Sequence, residues 1–250
     1  MIEKGSCALI PYLTGGFPTL ERSREIFQQM VDGGADVIEV GMPYSDPVAD
    51  GPTIQRAAQQ ALDAGTTLPR LLETFSTIDS AVPRVLMTYA NPILRRGIER
   101  ALDELRDSGF RGLIIPDIPL EESLPFQEAA RARGIDWIPL IAPTSPLERA
   151  RRIIDSASGF AYHVSVAGTT GVRGELPQPL TERLDQLRRE STRPIAVGFG
   201  IGSTEQIESL RPHCDGIVIG SRLVDAVFKN EPIEPLIRSF KAATQETTPC

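Results

Sequence analysis

The stretch Asp36–Gln55, DVIEVGMPYSDPVADGPTIQ, holds the key to the chain. Asp36-Val-Ile-Glu-Val40 has the β-branched content of a strand, yet Glu39 puts a carboxylate in its second half. Gly41 and Pro43 stop that strand, and Pro47 keeps the next residues irregular. Asp50-Gly-Pro52 then opens a helix, where proline suits the first turn because its missing N–H has no helical acceptor there. A carboxylate ending an apolar strand is expensive unless it has a partner or a task. Asp50 is expected where unpaired helix N–H groups favour its ionised form. Two carboxylates on neighbouring elements in unlike surroundings suit divided acid–base work. A structural loop with polar caps fits the same residues.

Outward from this stretch the pattern repeats. Cys7–Leu13 is a short apolar run, broken by Gly15-Gly16 and Pro18, and a helix from Leu20 to Asp32 ends at Gly33-Gly34. Strand, helix and strand follow one another as in a βαβ unit. Pro11, costly within a regular central strand, predicts a local irregularity. Helices are expected over Pro52–Asp63 and Leu68–Asp79, then a strand over Arg84–Thr88, a turn at Tyr89–Pro92 and a helix over Ile98–Ser108. The strand Gly112–Pro116 precedes a helix over Glu121–Arg133, and the strand Asp136–Leu140 precedes a helix opened by Ser145-Pro-Leu-Glu148. Phe160–Val164, Pro194–Val197 and Gly216–Ile219 complete the strands; Ser203-Thr-Glu-Gln206 reads as a capping box, and helices close the chain over Arg222–Lys229 and Ile233–Ala243. Eight strand–helix units without a linker predict a closed (β/α)8 TIM barrel, one domain over 1–250 with a disordered polar tail at 244–250. An open doubly wound sheet would need edge strands, and none is identifiable.

Composition narrows the partners. Of 250 residues, 41% are hydrophobic and 24% charged, and 26 Lys and Arg against 33 Asp and Glu leave a formal charge of −7. That argues against a nucleic-acid or anionic-membrane partner, which calls for a basic surface. A phosphorylated small substrate remains open, since backbone amides hold phosphate without side-chain charge. Cysteines 7, 214 and 250 form neither a metal spacing nor a disulfide framework. With no signal-like N-terminus and no run of about 18 apolar residues, a cytoplasmic location is expected.

In a barrel the chemistry belongs at the C-terminal strand ends. If Val37 faces inward, period two turns Glu39 inward as well. Tyr12, Met87, Ile114, Tyr162 and Phe199 lie near the ends of five other strands and together suit a flat aromatic ring, although each alone also fits core packing. Gly171, the Gly198-Phe-Gly200 turn and Gly220-Ser221 put backbone N–H groups on the last three loops, where barrels build phosphate sites. His163, next to Tyr162, is expected to face the helices, and His213 and Cys214 to pack at the bottom. Asp117 either orients a ligand or bonds loop amides. The arginine runs at 95–96, 131–133 and 151–152 read as solvated faces, no residues have metal-ligand spacing, and the first strand–helix turn lacks a dinucleotide fingerprint.

These residues resemble the tryptophan synthase alpha chain family. The likeness rests on Ile10-Pro-Tyr-Leu-Thr-Gly-Gly16, on Glu39-Val-Gly-Met-Pro-Tyr-Ser-Asp-Pro-Val-Ala-Asp-Gly-Pro-Thr-Ile54 and on Ile115-Pro-Asp-Ile-Pro119. Gly168-Thr-Thr-Gly-Val172, Gly198-Phe-Gly-Ile-Gly202 and Gly220-Ser221 extend it, so that it runs from about residue 7 to 240. The resemblance implies a single (β/α)8 barrel that cleaves indole-3-glycerol phosphate to indole and glyceraldehyde 3-phosphate, paired with a pyridoxal-phosphate-dependent beta chain in an αββα assembly. It casts Glu39 as general acid–base and Asp50 as the carboxylate on the indole N–H. Tyr162 and Phe199, with Tyr12, Ile54, Met87 and Ile114, match the indole pocket; Gly171, Gly200, Gly220 and Ser221 match the phosphate groups; Thr170 matches a loop threonine that sets Asp50 on closure. It also places the loop after the second strand against the beta chain. No cofactor is called for in the alpha reaction, because the protonated indole ring is itself the electron sink.

Three departures stand out. Only six residues precede Cys7 where the family usually has a further helix, which bears on stability. The loop reads Gly-Thr-Thr-Gly where Gly-Val-Thr-Gly is usual. Phe17 stands where Asp is common, a change expected to alter a partner contact or leave it apolar. A stand-alone lyase releasing free indole would keep the same catalytic residues.

Overall fold

Among the described residues the nine parallel strand segments are β1 Ala8–Thr14, β2 Ile38–Gly41, β3 Arg84–Met87, β4 Gly112–Ile114, β5 Asp136–Trp137, β6 Leu140–Ile141, β7 Ala161–Val164, β8 Ile195–Gly198 and β9 Gly216–Ile219. The computed structural model describes residues 6–165, 178–198 and 200–246. The strands pair in the order β5-β4-β3-β2-β1-β9-β8-β7-β6. β5 and β6 are two halves of one pass, interrupted at Ile138-Pro139, where proline can donate no rung. The first half pairs with β4 (Leu113↔Trp137) and the second with β7 (Leu140↔Tyr162). One pass therefore joins both ends of the sheet and closes the barrel.

The helices are α1 Leu20–Asp32, α2 Pro52–Asp63, α3 Leu68–Ser76, α4 Ala90–Leu94, α5 Ile98–Asp107, α6 Leu124–Arg131, α7 Leu147–Ser156, α8 Gln178–Glu190, α9 Thr204–Leu210, α10 Ser221–Phe228 and α11 Ile233–Ala243. Among the described residues none is long and apolar enough to cross a membrane. Strand alternation builds two cores. Ala8, Ile10, Tyr12, Val85, Met87, Ile114, Ile138, Tyr162, Ala196 and Val218 pack inside the barrel. Leu9, Leu13, Ile38, Val40, Leu86 and Leu113 pack outward against the helices. Each such Leu, Ile or Val contributes about 1.5–3 kcal/mol when fully buried.

Several local expectations need correcting. Tyr89–Pro92 is not a plain turn: Tyr89 caps α4. The helix expected over Glu121–Arg133 is split at Ser123 into a short 3-10 turn, Leu120–Glu122, and α6, whose Pro125 sits in its first turn. Ser145 makes no cap bond; α7 starts after Pro146. The Ser203–Gln206 capping box is present. β1 continues through Pro11, which pairs in register with Ile219, but the ladder to β2 begins only at Tyr12↔Glu39, so the irregularity is a missing rung rather than a break. Thr244–Glu246, expected in a disordered tail, are tied down. Cys7 N–H donates to Thr244 O at 3.0 Å, Arg211 donates to Gln245 O, and Thr244 is fully buried. Residues 247–250 lie outside the described residues.

The barrel floor carries a repeated device. Asp36, just before β2, exchanges backbone and side-chain bonds with Leu9: its N–H donates to Leu9 O at 3.0 Å and its Oδ2 accepts Leu9 N–H at 2.7 Å. Asp215, just before β9, does the same to Ile195 at 2.8 and 2.8 Å. Each carboxylate also meets a cation from the helical layer, Lys241 Nζ at 2.7 Å for Asp36 and Arg188 at 2.8 Å for Asp215.

Candidate active site

Glu39 lies at the opposite rim. It is 2% exposed, in register with Tyr12 of β1 and Val85 of β3, and partly buried Val37 packs on the same inner core, so the period-two expectation holds. Its Oε2 has no hydrogen-bond partner among the described residues. Burial first, and the negative charge of Asp50 second, push the Glu39 carboxyl up to about 8. At neutral pH this group therefore carries a proton.

Beyond β2 the chain turns through Met42–Asp50, pinned by Met42 N–H donating to Met87 O at 2.8 Å and Asp50 N–H donating to Pro47 O at 3.1 Å. Gly51 caps α2 without a side-chain bond, and Pro52 occupies its first turn. The expectation that helix N–H groups settle the Asp50 charge is corrected here. Burial raises the Asp50 carboxyl, and what opposes it is the hydroxyl of Tyr89, which donates to Asp50 Oδ2 at 3.1 Å. The same hydroxyl accepts Ala49 N–H at 3.0 Å, so Tyr89 fixes the loop and the carboxylate together. Its ring stacks on Tyr44 with centroids 4.9 Å apart. Asp117, exposed after β4, accepts Ala90 N–H at 3.0 Å through Oδ1 and thereby anchors the residue next to Tyr89. Of its two readings, bonding a loop amide is what the geometry contains.

Glu39 and Asp50 share one cavity of about 450 Å³ at the C-terminal end of the strands. Tyr12, Ile54, Met87 and Tyr162 from the sequence-based candidates line it, as do Gly200, Gly220 and Ser221. Gly51, Pro52, Thr53, Ser165 and Val218 line it too and were not singled out. Pro52 and Thr53 could have been found from their place at the start of the helix after Asp50. Ile114 is fully buried in the inner core rather than in the cavity wall. Thr170, Gly171 and Phe199 lie outside the described residues.

Two glycines shape the aromatic walls. A Cβ on Gly41 would come within 2.1 Å of the Tyr12 hydroxyl, and one on Gly198 within 2.3 Å of the Tyr162 hydroxyl. Each tyrosine thus lies across the glycine that ends the neighbouring strand, and both line the cavity. At the other end, Gly220 caps α10 and exposed Ser221 starts it, so helix N–H groups and a hydroxyl face the cavity. Two other clefts, of about 510 and 770 Å³, open outside the barrel without Glu39 or Asp50 in their walls, so volume does not choose the site. His163 is buried and pushed down to about 4 by burial and by Arg183, as expected for a histidine on the helical side. Among the described residues no three His, Cys, Asp or Glu side chains gather as metal ligands would.

The sequence model of the tryptophan synthase alpha chain matches residues 1–248. The chain belongs to the tryptophan synthase alpha chain family. It is 45% identical over 246 residues to an alpha chain of Synechococcus elongatus, covering 96% of this chain and 92% of that one. An alpha chain of Carboxydothermus hydrogenoformans is 44% identical over 227 residues, 90% and 85% of the two chains. Mycobacterium tuberculosis tryptophan synthase superposes with a TM-score of 0.89 at 34% identity, covering 98% of this chain and 95% of that one. A chain from the Pyrococcus furiosus tryptophan synthase a2b2 complex gives 0.87 at 37% identity, covering 98% of each. As an alpha-chain family member the protein is a lyase of tryptophan biosynthesis.

Proposed function

We propose that Glu39 and Asp50 divide the acid–base work of the cleavage this chain performs, indole-3-glycerol phosphate to indole and glyceraldehyde 3-phosphate. The observation that carries this reading is a buried carboxyl, Glu39, whose Oε2 has no hydrogen-bond partner among the described residues, in one cavity with a carboxylate held by Tyr89. Holding its proton to about pH 8, Glu39 gives it to indole C3. Positive charge then appears on the ring nitrogen, whose N–H donates to ionised Asp50. The bond between C3 and the glycerol carbon breaks, its electron pair returns to the ring, and the adjacent hydroxyl becomes the aldehyde. Glu39, now a base, takes the hydroxyl proton. Tyr12 and Tyr162 flank the ring, and Gly200, Gly220 and Ser221, with Gly171, hold the phosphate. Phe199 belongs to the indole pocket and Thr170 to the loop that sets Asp50.

Single-turnover indole formation tests the assignment. Wild type should lose rate as pH rises through about 8, as Glu39 gives up its proton. Glu39→Gln should fall by at least ~10²-fold, the scale of a lost positioned acid–base group. Near-wild-type rates in that variant from pH 5 to 9 would sink the proposal.

We also assign a beta chain carrying pyridoxal phosphate as partner, in the αββα arrangement. Val48 on the loop ahead of Asp50 is 83% exposed and Leu94 of α4 is 52% exposed, two apolar side chains on the elements that also carry Tyr44 and Tyr89. A matched beta chain should raise turnover; full turnover alone, unchanged by the beta chain, would leave a stand-alone lyase.

A further inference from the structure

Among the described residues three helices are additional to the strand–helix alternation: α2, between β2 and α3, α4, between β3 and α5, and α10, between β9 and α11; α2 and α10 concern the site. Each begins at one half of the site. Asp50 precedes α2 by two residues, and Gly220 and Ser221 form the start of α10. The two helices pack on each other beside β1, with Ala57 and Ala61 of α2 and Val224 of α10 joining the inner core.

Their contact is closed by a three-layer stack. Phe17, from the turn after β1, is 3% exposed, and its ring centroid lies 4.5 Å from that of Phe228 at a tilt of 50°. The Arg56 guanidinium lies over the Phe228 ring, 3.6 Å from its centroid. Arg56 sits one turn into α2, exposed to solvent, and makes no ion pair among the described residues. Phe17 is buried in this chain as one member of the stack, against Phe228. Aromatic pairs and cations over rings hold orientation as well as area, and an exposed cation–π contact is a weak but directional tie.

We propose that the Phe17–Phe228–Arg56 stack fixes the start of α2 against the start of α10, which makes Arg56 a positioning residue for the cleavage. It does so at the Phe228 end of α10, remote from the substrate. A phosphate held at Gly220–Ser221 then locates the indole nitrogen relative to Asp50 through two rigid helices rather than through a loop. A displacement of about 1 Å in such a frame is enough to slow chemistry severely. This inference rests on the roles given above to Asp50, Gly220 and Ser221.

The test uses the full chain with a matched beta chain. Arg56→Ala, at an exposed position, leaves the core packing in place. It should lower kcat by about two- to fivefold, the range of a lost exposed cation–π tie. KM and the affinity for glycerol 3-phosphate should hold, because Ser221 is untouched. The alkaline limb of kcat should move to lower pH, because the Asp50 charge that helps Glu39 keep its proton is less well placed. Arg56→Lys, which returns a cation to the ring, should recover most of the rate. A wild-type kcat and pH limb in Arg56→Ala, or equal losses in the Ala and Lys variants, would overturn the inference. Glu39→Gln run in parallel separates the two readings. An inactive Glu39→Gln beside a wild-type Arg56→Ala removes only the stack; an active Glu39→Gln removes the site assignment and the stack with it.

Discussion

Glu39→Gln should change stability as well as turnover, by an amount that grows with pH. The Glu39 side chain is 2% exposed with Oε2 unpaired, and its proton release is displaced from 4.5 to about 8. Between those values the folded chain holds a proton that the unfolded chain has released. This contribution to wild-type stability is therefore fully present below 4.5 and is lost as pH rises through about 8. The slope approaches about 1.4 kcal/mol per pH unit, which amounts to about 3–4 kcal/mol between pH 5 and pH 8. Glutamine does not titrate, so the variant gains that much on wild type across the window. Its amide brings a donor with no evident partner, a destabilisation of about 1–3 kcal/mol that does not vary with pH. The informative quantity is thus the slope of the difference rather than its value at one pH. Urea unfolding of both proteins from pH 5 to 8 measures it, and the single tryptophan, Trp137, buried beside Phe126, gives the fluorescence signal. A difference independent of pH would mean that Glu39 is ionised in the fold with a partner, and the acid role assigned to it would lose its basis.

Tyr89→Phe removes the hydroxyl that favours ionised Asp50, so the acid limb of kcat should move to higher pH and kcat should fall about tenfold, the scale of a lost hydrogen bond to a charge. An unchanged acid limb would show that Asp50 does not depend on that bond. Gly220→Asp has room for its Cβ, 3.5 Å from the Tyr12 ring, at a φ of −114° that any residue adopts. The fold should survive while the added carboxylate repels phosphate at the helix start, lowering substrate affinity at least about tenfold in calorimetry; wild-type affinity would refute the phosphate placement.

The barrel is legible because glycines and prolines punctuate it and each inward residue follows from period two. Val37 and Glu39 share a face for no other reason. What decides the state of Asp50 is not legible. Its partner, Tyr89, lies 39 residues away at the head of a helix too short to show a period. The local reading of Asp50 as a helix-stabilised anion failed because the cap is Gly51 and the first turn holds Pro52, which has no N–H to offer. Phe17, Arg56 and Phe228 illustrate the same limit: each is ordinary in its own segment, and only the packing of α2 on α10 brings them together. Tyr12 with Gly41 and Tyr162 with Gly198 lie between these extremes, since adjacent strands are predictable but the lean of a ring across its neighbour is not.

The same side-chain chemistry serves opposite ends at the two rims, and partners decide which. At the floor, Asp36 and Asp215 each accept a strand N–H and meet a cation, so their charge is matched where the strands begin. Arg84, buried nearby at the start of β3, is matched differently: its guanidinium donates to Phe75 O at 2.8 Å, Ile78 O at 3.1 Å and Gly109 O at 3.1 Å. Glu39, at the other rim, has the least of this among the described residues: no cation, an unpaired oxygen and a second carboxylate close enough to repel its charge. A group so placed destabilises the fold at alkaline pH, and the bonded floor offsets it. Removing Asp36 or Asp215 would therefore weaken the scaffold without touching the proton chemistry, whereas adding a cation beside Glu39 would quiet the repulsion and disable the acid. The separation is spatial, with one barrel length between the charges that hold the strands and the carboxyl that must remain unmatched.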